Sequence, residues 1–571
     1  MVKRDKEALW HSTSHVLADA VKRIWPEVKL AIGPAIEDGF YYDFDKKEPF
    51  TQADLAKIEA EMKEIIEKNE EIKQILLDRK EAEKILKREP YKLEMLKDLK
   101  DKKVSFFKHG NFMDMCAGPH VRRTGEIKAF KLLKTAGSYW RGDSSKQQLQ
   151  RIYGISFFSR QELDDYIKQK EEAERRDHRK LGHELELFMI SDLSLAGCPI
   201  FLPKGTVIYN ELMAFLRSEY IKRGYQEIIT PQIFKKELWE TSGHWQHYRD
   251  NMFTFKISDH DYSLKPMNCP SHMLVYKSKM RSYRDLPLRI ADFGVLHRNE
   301  LGGVLGGLTR VVKFSQDDAH IYLTPEQIGP ELEGVIDFIK YVYEKVFKFE
   351  YKMKLSTRPK EFMGDKKLWD EAEKNLASTL KKAGIKYDIQ EGEGAFYGPK
   401  IDIIVKDSLG RDWQVATVQL DFQLPLKFDA TYEGNDGQKH HCVVIHRAIL
   451  GSLERFIGVL IENYAGKFPL WLAPVQVKIM TLTEDNLNYA KKIEHMLREK
   501  GIRVEADYRN STIQSKVRDA QLEKVPYMIT VGEKEERTGT LAVRTRDGKV
   551  RFGVNVDDFI SEIEREIIEK R

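Results

Sequence analysis

The sequence predicts a multidomain fold that joins α+β and α/β parts, and three observations lead there. At 571 residues the chain exceeds what a single hydrophobic core organises. Residues 468–571 interleave strand-like segments, "VQVKIMTL", "IRVEADY", "PYMITVG" and "TLAVRTRDG", with helix-like ones, "NLNYAKKIEHMLREKG" and "TIQSKVRDAQLEK". Such βαβ alternation predicts a small, mostly parallel sheet. Residues 188–467 instead mix the apolar runs "LRIADFGVLH", "IDIIVK" and "TVQLDF" with helical patterns such as "TVIYNELMAFLRSEYIKRG", which predicts a large mixed sheet with packed helices.

Taken in order, residues 1–158 form a first α+β domain. Within it, residues 51–89 read as charged helices, with Leu55, Ile58, Met62, Ile65 and Ile66 spaced for one helical face. The stretch "AGSYWRGDSSKQQLQRIYGISFF" closes the domain. Next, "RQELDDYIKQKEEAERRDHRKLGHELEL" reads as one charged helix with the polar surface of a linker, 159–187. The large sheet domain follows over 188–467, and the proline-punctuated "FPLWLAP" leads into the last domain, 468–571.

Composition narrows the function classes. Hydrophobic residues at 41% and aromatic ones at 11% describe an ordinary folded protein rather than a disordered one. The 95 lysines and arginines exceed the 90 acidic residues slightly, a net charge of +5 that is compatible with an RNA-sized partner without demanding one. Cys116, Cys198, Cys269 and Cys442 are too few and too scattered for a disulfide framework, so a reducing compartment is expected. The opening "MVKRDKEALWHSTSHVL" lacks an apolar signal core and no run of about 18 apolar residues follows, so the expected location is the cytoplasm.

The chemistry concentrates in "HRNELGGVLGGLTRVVKFSQDDAHIY", residues 297–322. Its glycines let a loop approach a ligand closely, and Arg298, Arg310 and Lys313 can neutralise phosphate oxygens. "GSLERF" adds Arg455, and "KPMNCP", "SQDDAH" and "VVIH" supply Cys269, His320 and His446. One thiolate and two imidazoles suit zinc with a fourth position open. Gaps of 51 and 126 residues do not establish the set, and His440, His441 and Cys442 in "GQKHHCVVIH" are rival ligands. Near the N-terminus, "HSTSH" and "CAGPH" bring His11, His15, Cys116 and His120; in a helix the first two share a face, and the four suggest a second metal site.

Beyond these residues, "GYQEIITPQI", "FGVLHRNE" through "DDAH", and "GSLERF" resemble the three class II aminoacyl-tRNA synthetase motifs. "KPMNCP", "EGAFYGPKIDI" and "TVQLDF" are similar to stretches particular to the threonyl-tRNA synthetases, and the resemblance covers nearly the whole chain. It implies three domains: an α+β editing domain, a class II catalytic domain on an antiparallel sheet, and a C-terminal α/β anticodon-binding domain. It also implies the reaction: threonine activated by ATP with Mg2+, transfer to threonine-specific tRNA, and hydrolysis of seryl-tRNA. A homodimer is expected, with the first motif at the interface. A zinc site that must coordinate a hydroxyl rejects valine but admits serine, which is why hydrolytic proofreading follows.

Residue by residue, the resemblance gives Arg298 the α-phosphate, Glu300 the adenine amino group and Phe314 the ring. Arg310 and Arg455 lie along the nucleotide, with Gln414 beside it. Cys269, His320 and His446 bind zinc, and Asp318, Tyr397, Lys400 and Gln419 surround the amino acid and ATP. His244 in "TSGHW" resembles a histidine implicated in transfer to the ribose, with a surface-loop histidine as the alternative. His11, His15, Cys116 and His120, with Tyr42, Lys92 and Asp114, line an editing pocket that does not generally require a metal. Asn510, Glu535 and Arg544 are expected at anticodon bases, an ordinary solvated surface being the alternative.

Departures from the family pattern fall at Ala117, Gly306, Val312, Lys313 and Ala416, where arginine, histidine, arginine, glycine and glycine are usual. Many relatives carry a further small N-terminal domain; the expectation here is a chain lacking it. Two rival readings are a tRNA-like-RNA-binding regulator and a deacylase with an impaired ligase domain.

Overall fold

The computed structural model describes residues 5–300 and 302–570. They form two compact units, one ending at Glu171 and the other beginning at Glu172.

In the N-terminal unit, Asp5 caps the helix Lys6–Ile24 by accepting from the Glu7 and Ala8 amides. That helix buries Leu9, Val16, Leu17 and Val21 in a core shared with Phe40, Tyr42 and Phe44 of the strand Gly39–Asp45. The strand pairs antiparallel with Gln148–Phe157, which pairs in turn with Ala129–Tyr139. Helix Gln52–Glu67 buries Leu55, Ile58, Met62 and Ile65 as its spacing predicts, while Ile66 is only partly buried. The predicted run of helices over 51–89 is interrupted. Asn69 adopts a left-handed conformation (φ 50°) after the helix, and Lys73–Asp78 is a strand paired with Lys103–His109. It forms the edge of a three-stranded sheet completed by Phe112–Met115. Its lysine, glutamine and exposed Leu76 suit an edge facing solvent, and pairing overrides a charged, helix-like composition.

The second unit is built on an eight-stranded sheet in the order Gln226–Glu227, Leu288–His297, Lys313–Leu323, Val443–Ser452, Asp412–Asp421, Lys400–Lys406, Glu350–Ser356, Tyr387–Gln390. It is antiparallel through the middle and parallel at both edge pairs. Helices Pro203–Lys222, Ile328–Lys340 and Leu453–Tyr464 contribute to the large core behind it. The predicted linker helix is broken at Asp177, which caps a separate helix His178–Glu184. Leu181, Leu185 and Leu187 then enter the main core, so this part is packed rather than solvated. Phe468, Trp471 and Leu472 of "FPLWLAP" are buried there too.

The final sheet runs Val504–Asp507, Val477–Thr481, Tyr527–Val531, Thr540–Thr545, Val550–Asn555. Its first three strands are parallel; Thr540–Thr545 then pairs antiparallel with Tyr527–Val531 after the short helix Glu533–Thr538, and antiparallel with Val550–Asn555 across a tight turn through Gly548 (φ 90°) that leaves no room for a crossover helix. Arg503 ties it to the large core: its guanidinium pairs with Glu211 at 2.7 Å and donates to the Trp471 and Ala473 carbonyls.

Candidate active sites

The alternation of strand Lys313–Leu323 builds the main site. Phe314, Gln316, Asp318 and His320 line a cavity of about 470 Å3, while Ala319 and Ile321 turn into the core. Register aligns the rest: His320 faces His446 on one neighbouring strand, and His446 faces Gln419 on the next. Cys269 enters from the first turn of helix Cys269–Tyr276. The ligand atoms of Cys269, His320 and His446 all lie within 4.8 Å of one another, and all three residues are buried. Tetrahedral bonds of about 2.0–2.3 Å to a zinc ion fit that spacing after a small contraction.

Hydrogen bonds orient both rings. His446 Nε2 meets Asp421 Oδ2 at 2.9 Å and His320 Nδ1 meets His272 Nδ1 at 2.7 Å, which leaves the opposite nitrogen of each ring for a ligand role. Burial, then the Asp318 and Asp421 carboxylates, pushes the Cys269 thiol well above its ordinary range. A thiolate this deep is stable only beside a cation. The rivals stand elsewhere: His440 and His441 are exposed and pair with Asp436 and Asp429, and Cys442 is buried against Tyr276. Neither His272 nor Asp421 was anticipated from sequence; only His272, three residues after Cys269 on the same helix, left a signal there.

At the other end of the cavity three guanidinium groups converge. Arg455 donates to the Thr309 carbonyl at 2.8 Å and the Gln414 carbonyl at 3.3 Å. Arg298 lies 5.1 Å over the Phe314 ring, and Arg310 pairs with Glu300 at 2.9 Å. Burial, then repulsion from Arg298 and Arg310, lowers Arg455 below the usual guanidinium range. Positive charge concentrated in this way, only partly offset by Glu300, is what an anionic ligand relieves. Asp402 organises the far wall, taking Lys400 at 2.8 Å and both Gln414 and Thr417 at 2.7 Å. Tyr397 lines the cavity, Gln419 donates to the Gly398 carbonyl, and Asp318 accepts from Asn268 at 3.1 Å.

His244 is a buried residue, not a surface-loop one. Its ring is fully enclosed, with Nδ1 at 2.8 Å from Ser242 Oγ and Nε2 at 3.1 Å from Met267 Sδ. Burial, then the neighbouring His446 and Arg298, holds it down to about 3. Met267 lines the cavity, so His244 stands one side chain behind the surface a ligand would touch.

In the N-terminal unit His11 and His15, one turn apart, meet Cys116 and His120, with all four ligand atoms within 4.8 Å. Cys116 Sγ sits 3.0 Å from His120 Nε2 and 3.5 Å from His11 Nε2. Asp114 lies alongside, bonded to Lys92 at 2.8 Å and Tyr42 at 2.6 Å, and 3.9 Å from His15. Burial lowers all three rings, His120 to about 3, and pushes Cys116 up to about 11, so near neutral pH the pocket holds neutral imidazoles and a thiol. His109, paired with Asp19 at 3.2 Å, supports this helix from behind and carried no sequence signal.

The three C-terminal residues are not gathered into one cluster. Asn510 is exposed and follows the end of Val504–Asp507; Glu535 follows the end of Tyr527–Val531 and accepts from the Gly532 amide at 3.1 Å. Arg544 pairs in register with Met528, towards the opposite end of that strand.

Comparison with known proteins matches residues 253–464 to the tRNA synthetase class II core domain (G, H, P, S and T). Residues 476–566 match an anticodon binding domain, and 104–153 the threonyl and alanyl tRNA synthetase second additional domain. The chain is 54% identical over 561 residues to a threonine–tRNA ligase of Acetivibrio thermocellus, covering 98% of this chain and 88% of that one. It is 52% identical over 568 residues to one from Caldanaerobacter subterraneus, covering 99% and 88%. Among solved structures, the RNA binding domain of a threonyl-tRNA synthetase from Cryptosporidium parvum superposes with a TM-score of 0.66 at 44% identity, covering 68% of this chain and 98% of that one.

Proposed function

The chain belongs to the threonyl-tRNA synthetases, and from that premise we propose how its two sites divide the work of an ATP-dependent threonine–tRNA ligase that edits its product. In the main cavity a threonine carboxylate oxygen attacks the ATP α-phosphorus, the bond to the bridging oxygen breaks, and pyrophosphate leaves. Arg298 and Arg455 hold the α-phosphate and take up charge as it develops, and Arg310 meets the outer phosphates; fixed, forked donors suit that geometry. Glu300 accepts from the adenine amino group, Phe314 stacks on the ring, and Gln414 borders the nucleotide. Mg2+ accompanies ATP.

The Cys269, His320 and His446 set would hold a zinc ion, which when bound supplies a Lewis acid for the amino and hydroxyl groups of threonine. Asp318, Tyr397 and Gln419 enclose the amino acid, and Lys400 lies between it and the phosphates. In the second step a ribose hydroxyl of the tRNA attacks the acyl carbon and AMP leaves. His244 is neutral, as a base for that hydroxyl must be, and reaches it only when Met267 moves aside.

Serine carries the same hydroxyl and passes the first site, so the N-terminal pocket removes it. There a water oxygen attacks the ester carbonyl, the ester bond breaks, and the tRNA hydroxyl leaves with a proton. Neutral His11, His15 and His120 can accept the water's proton, whereas Cys116, as a thiol, is a poor nucleophile and serves as a wall. Lys92 and Tyr42 fix the Asp114 carboxylate that orients the ester. We extend the reading to domains over 1–158, 159–187, 188–467 and 468–571, to anticodon contacts by Asn510, Glu535 and Arg544, to a cytoplasmic location, and to a homodimer. Among the described residues no helix is long and apolar enough to cross a membrane. The strongly exposed Ile221 and Ile229, the latter two residues before Pro231, support a partner surface at the first motif.

One observation carries this reading: a single cavity joins a Cys–His–His set to an Arg455 crowded by Arg298 and Arg310. The test is ATP–pyrophosphate exchange with threonine, serine and valine, before and after zinc is stripped. Exchange with threonine, less with serine, little with valine and loss without zinc is the expected result; no exchange by folded, zinc-loaded protein overturns it.

A further inference from the structure

We infer that His178 is a positioning residue for the nucleotide end of the cavity, acting as a neutral hydrogen-bond acceptor beneath the turn that carries Thr309 and Arg310; this rests on the ATP-binding reading above. The ring is buried and both its nitrogens are engaged. The Leu308 backbone amide donates to Nε2 at 3.0 Å, and Nδ1 lies 2.6 Å from Glu462 Oε1. An amide can only donate, so Nε2 must carry its lone pair. The proton therefore sits on Nδ1 and is given to Glu462, whose other oxygen pairs with Arg411.

Two glycines make the fit possible. Gly307 has a φ of 55°, and a Cβ there would lie 2.2 Å from His178 Nε2; at Gly458 a Cβ would press within 3.3 Å of Leu308 Cβ. The imidazole thus wedges the helix His178–Glu184 between the turn and the helix Leu453–Tyr464, which carries Arg455. One residue beyond Leu308, the Thr309 carbonyl receives the Arg455 guanidinium, and Arg310 follows. The height of this turn sets where two of the three arginines stand, and the bond from Leu308 to His178 holds that height. Asp177, His178 and Glu462 also offer ligand atoms within 4.8 Å of one another, but with both ring nitrogens committed the ring has no lone pair left for a metal.

Two substitutions separate the acceptor role from mere docking of the helix. His178→Gln keeps an acceptor near the Nε2 position and loses the Nδ1 donor; His178→Asn keeps a donor near Nδ1 and loses the acceptor. In threonine-dependent ATP–pyrophosphate exchange, His178→Asn is expected to raise the KM for ATP on the order of tenfold with the KM for threonine little changed, and His178→Gln to stay within about threefold of native. The reverse order, equal losses in both, or no change in either overturns the inference. A native enzyme with no exchange at all instead overturns the function it rests on. Should His178→Asn not fold, hydrogen–deuterium exchange on the native protein decides: protection of the Leu308 amide is expected, and exchange at open-loop rates overturns the proposal.

Discussion

Arg455 illustrates how a residue tuned for a ligand is ill at ease without one. Burial and two like charges lower its affinity for a proton, so removing it relieves repulsion while removing a phosphate contact. Arg455→Ala is expected to cut threonine-dependent exchange by about 10²–10³-fold, with a melting temperature equal to or above native; kinetics beside a thermal melt check both halves. In the other pocket, Asp114→Asn leaves Lys92 without its counter-charge, and seryl-tRNA hydrolysis should fall about 10²-fold while threonine exchange holds. The buried rings there set a pH response. His120 at about 3, against an ordinary 6.5, means that the unfolded chain binds a proton the native pocket refuses, and His11 and His15 shift the same way. Stability of the N-terminal unit should therefore fall as pH drops from about 6.5 towards 3, by at most about 1.4 kcal/mol per pH unit for each ring, in denaturant titrations across that range. Residue chemistry was the legible part of the sequence: a thiol and two imidazoles suit zinc wherever they lie. The partners were not legible, because Asp421 meets His446 through the meeting of two strands, 25 residues apart, that no local pattern encodes.

At the scale of elements, apolar spacing specified what it could. Strand Leu288–His297 answers to the apolar run "LRIADFGVLH", and helix Gln52–Glu67 to a period of 3.6. Lys73–Asp78 does not, since an edge strand may be charged and its identity comes from its partner Lys103–His109. Nor does the break at Asp177, where a short polar side chain that could continue a helix instead caps the next one. A sharper dependence lies where strand Val443–Ser452 hands over to the helix bearing Arg455. Gly451 has a φ of 72°, and a Cβ there would stand 2.1 Å from the Val415 carbonyl oxygen. Gly451→Ala combines strain with a collision, and a loss on the order of 1–3 kcal/mol is expected in equilibrium unfolding, with exchange activity reduced alongside.

For the whole molecule, the expected assembly is a species of twice 66.7 kDa in sedimentation, shifted towards the monomer by Ile229→Glu, which places a charge on a residue 92% exposed in the single chain. The two sites share no residue, so each can lose function while the other keeps it, as Asp114→Asn is designed to test. Within the larger unit there is a division of another kind. The candidate zinc ligands His320 and His446 and the neighbouring Gln419 sit on three adjacent inner strands, whereas Glu300, Thr309 and Arg310 stand on the connection that leads from strand Leu288–His297 into the strand of His320. Mutation therefore explores the two halves of the cavity unequally. Variants of the connection can drift in nucleotide affinity and still fold, while variants of the inner strands are culled by instability before a new amino-acid preference is ever sampled. The genetic code's assignment at this site is thereby guarded by the fold itself, and a laboratory search for a ligase charging a different amino acid would gain more from first stabilising the sheet than from enlarging the library.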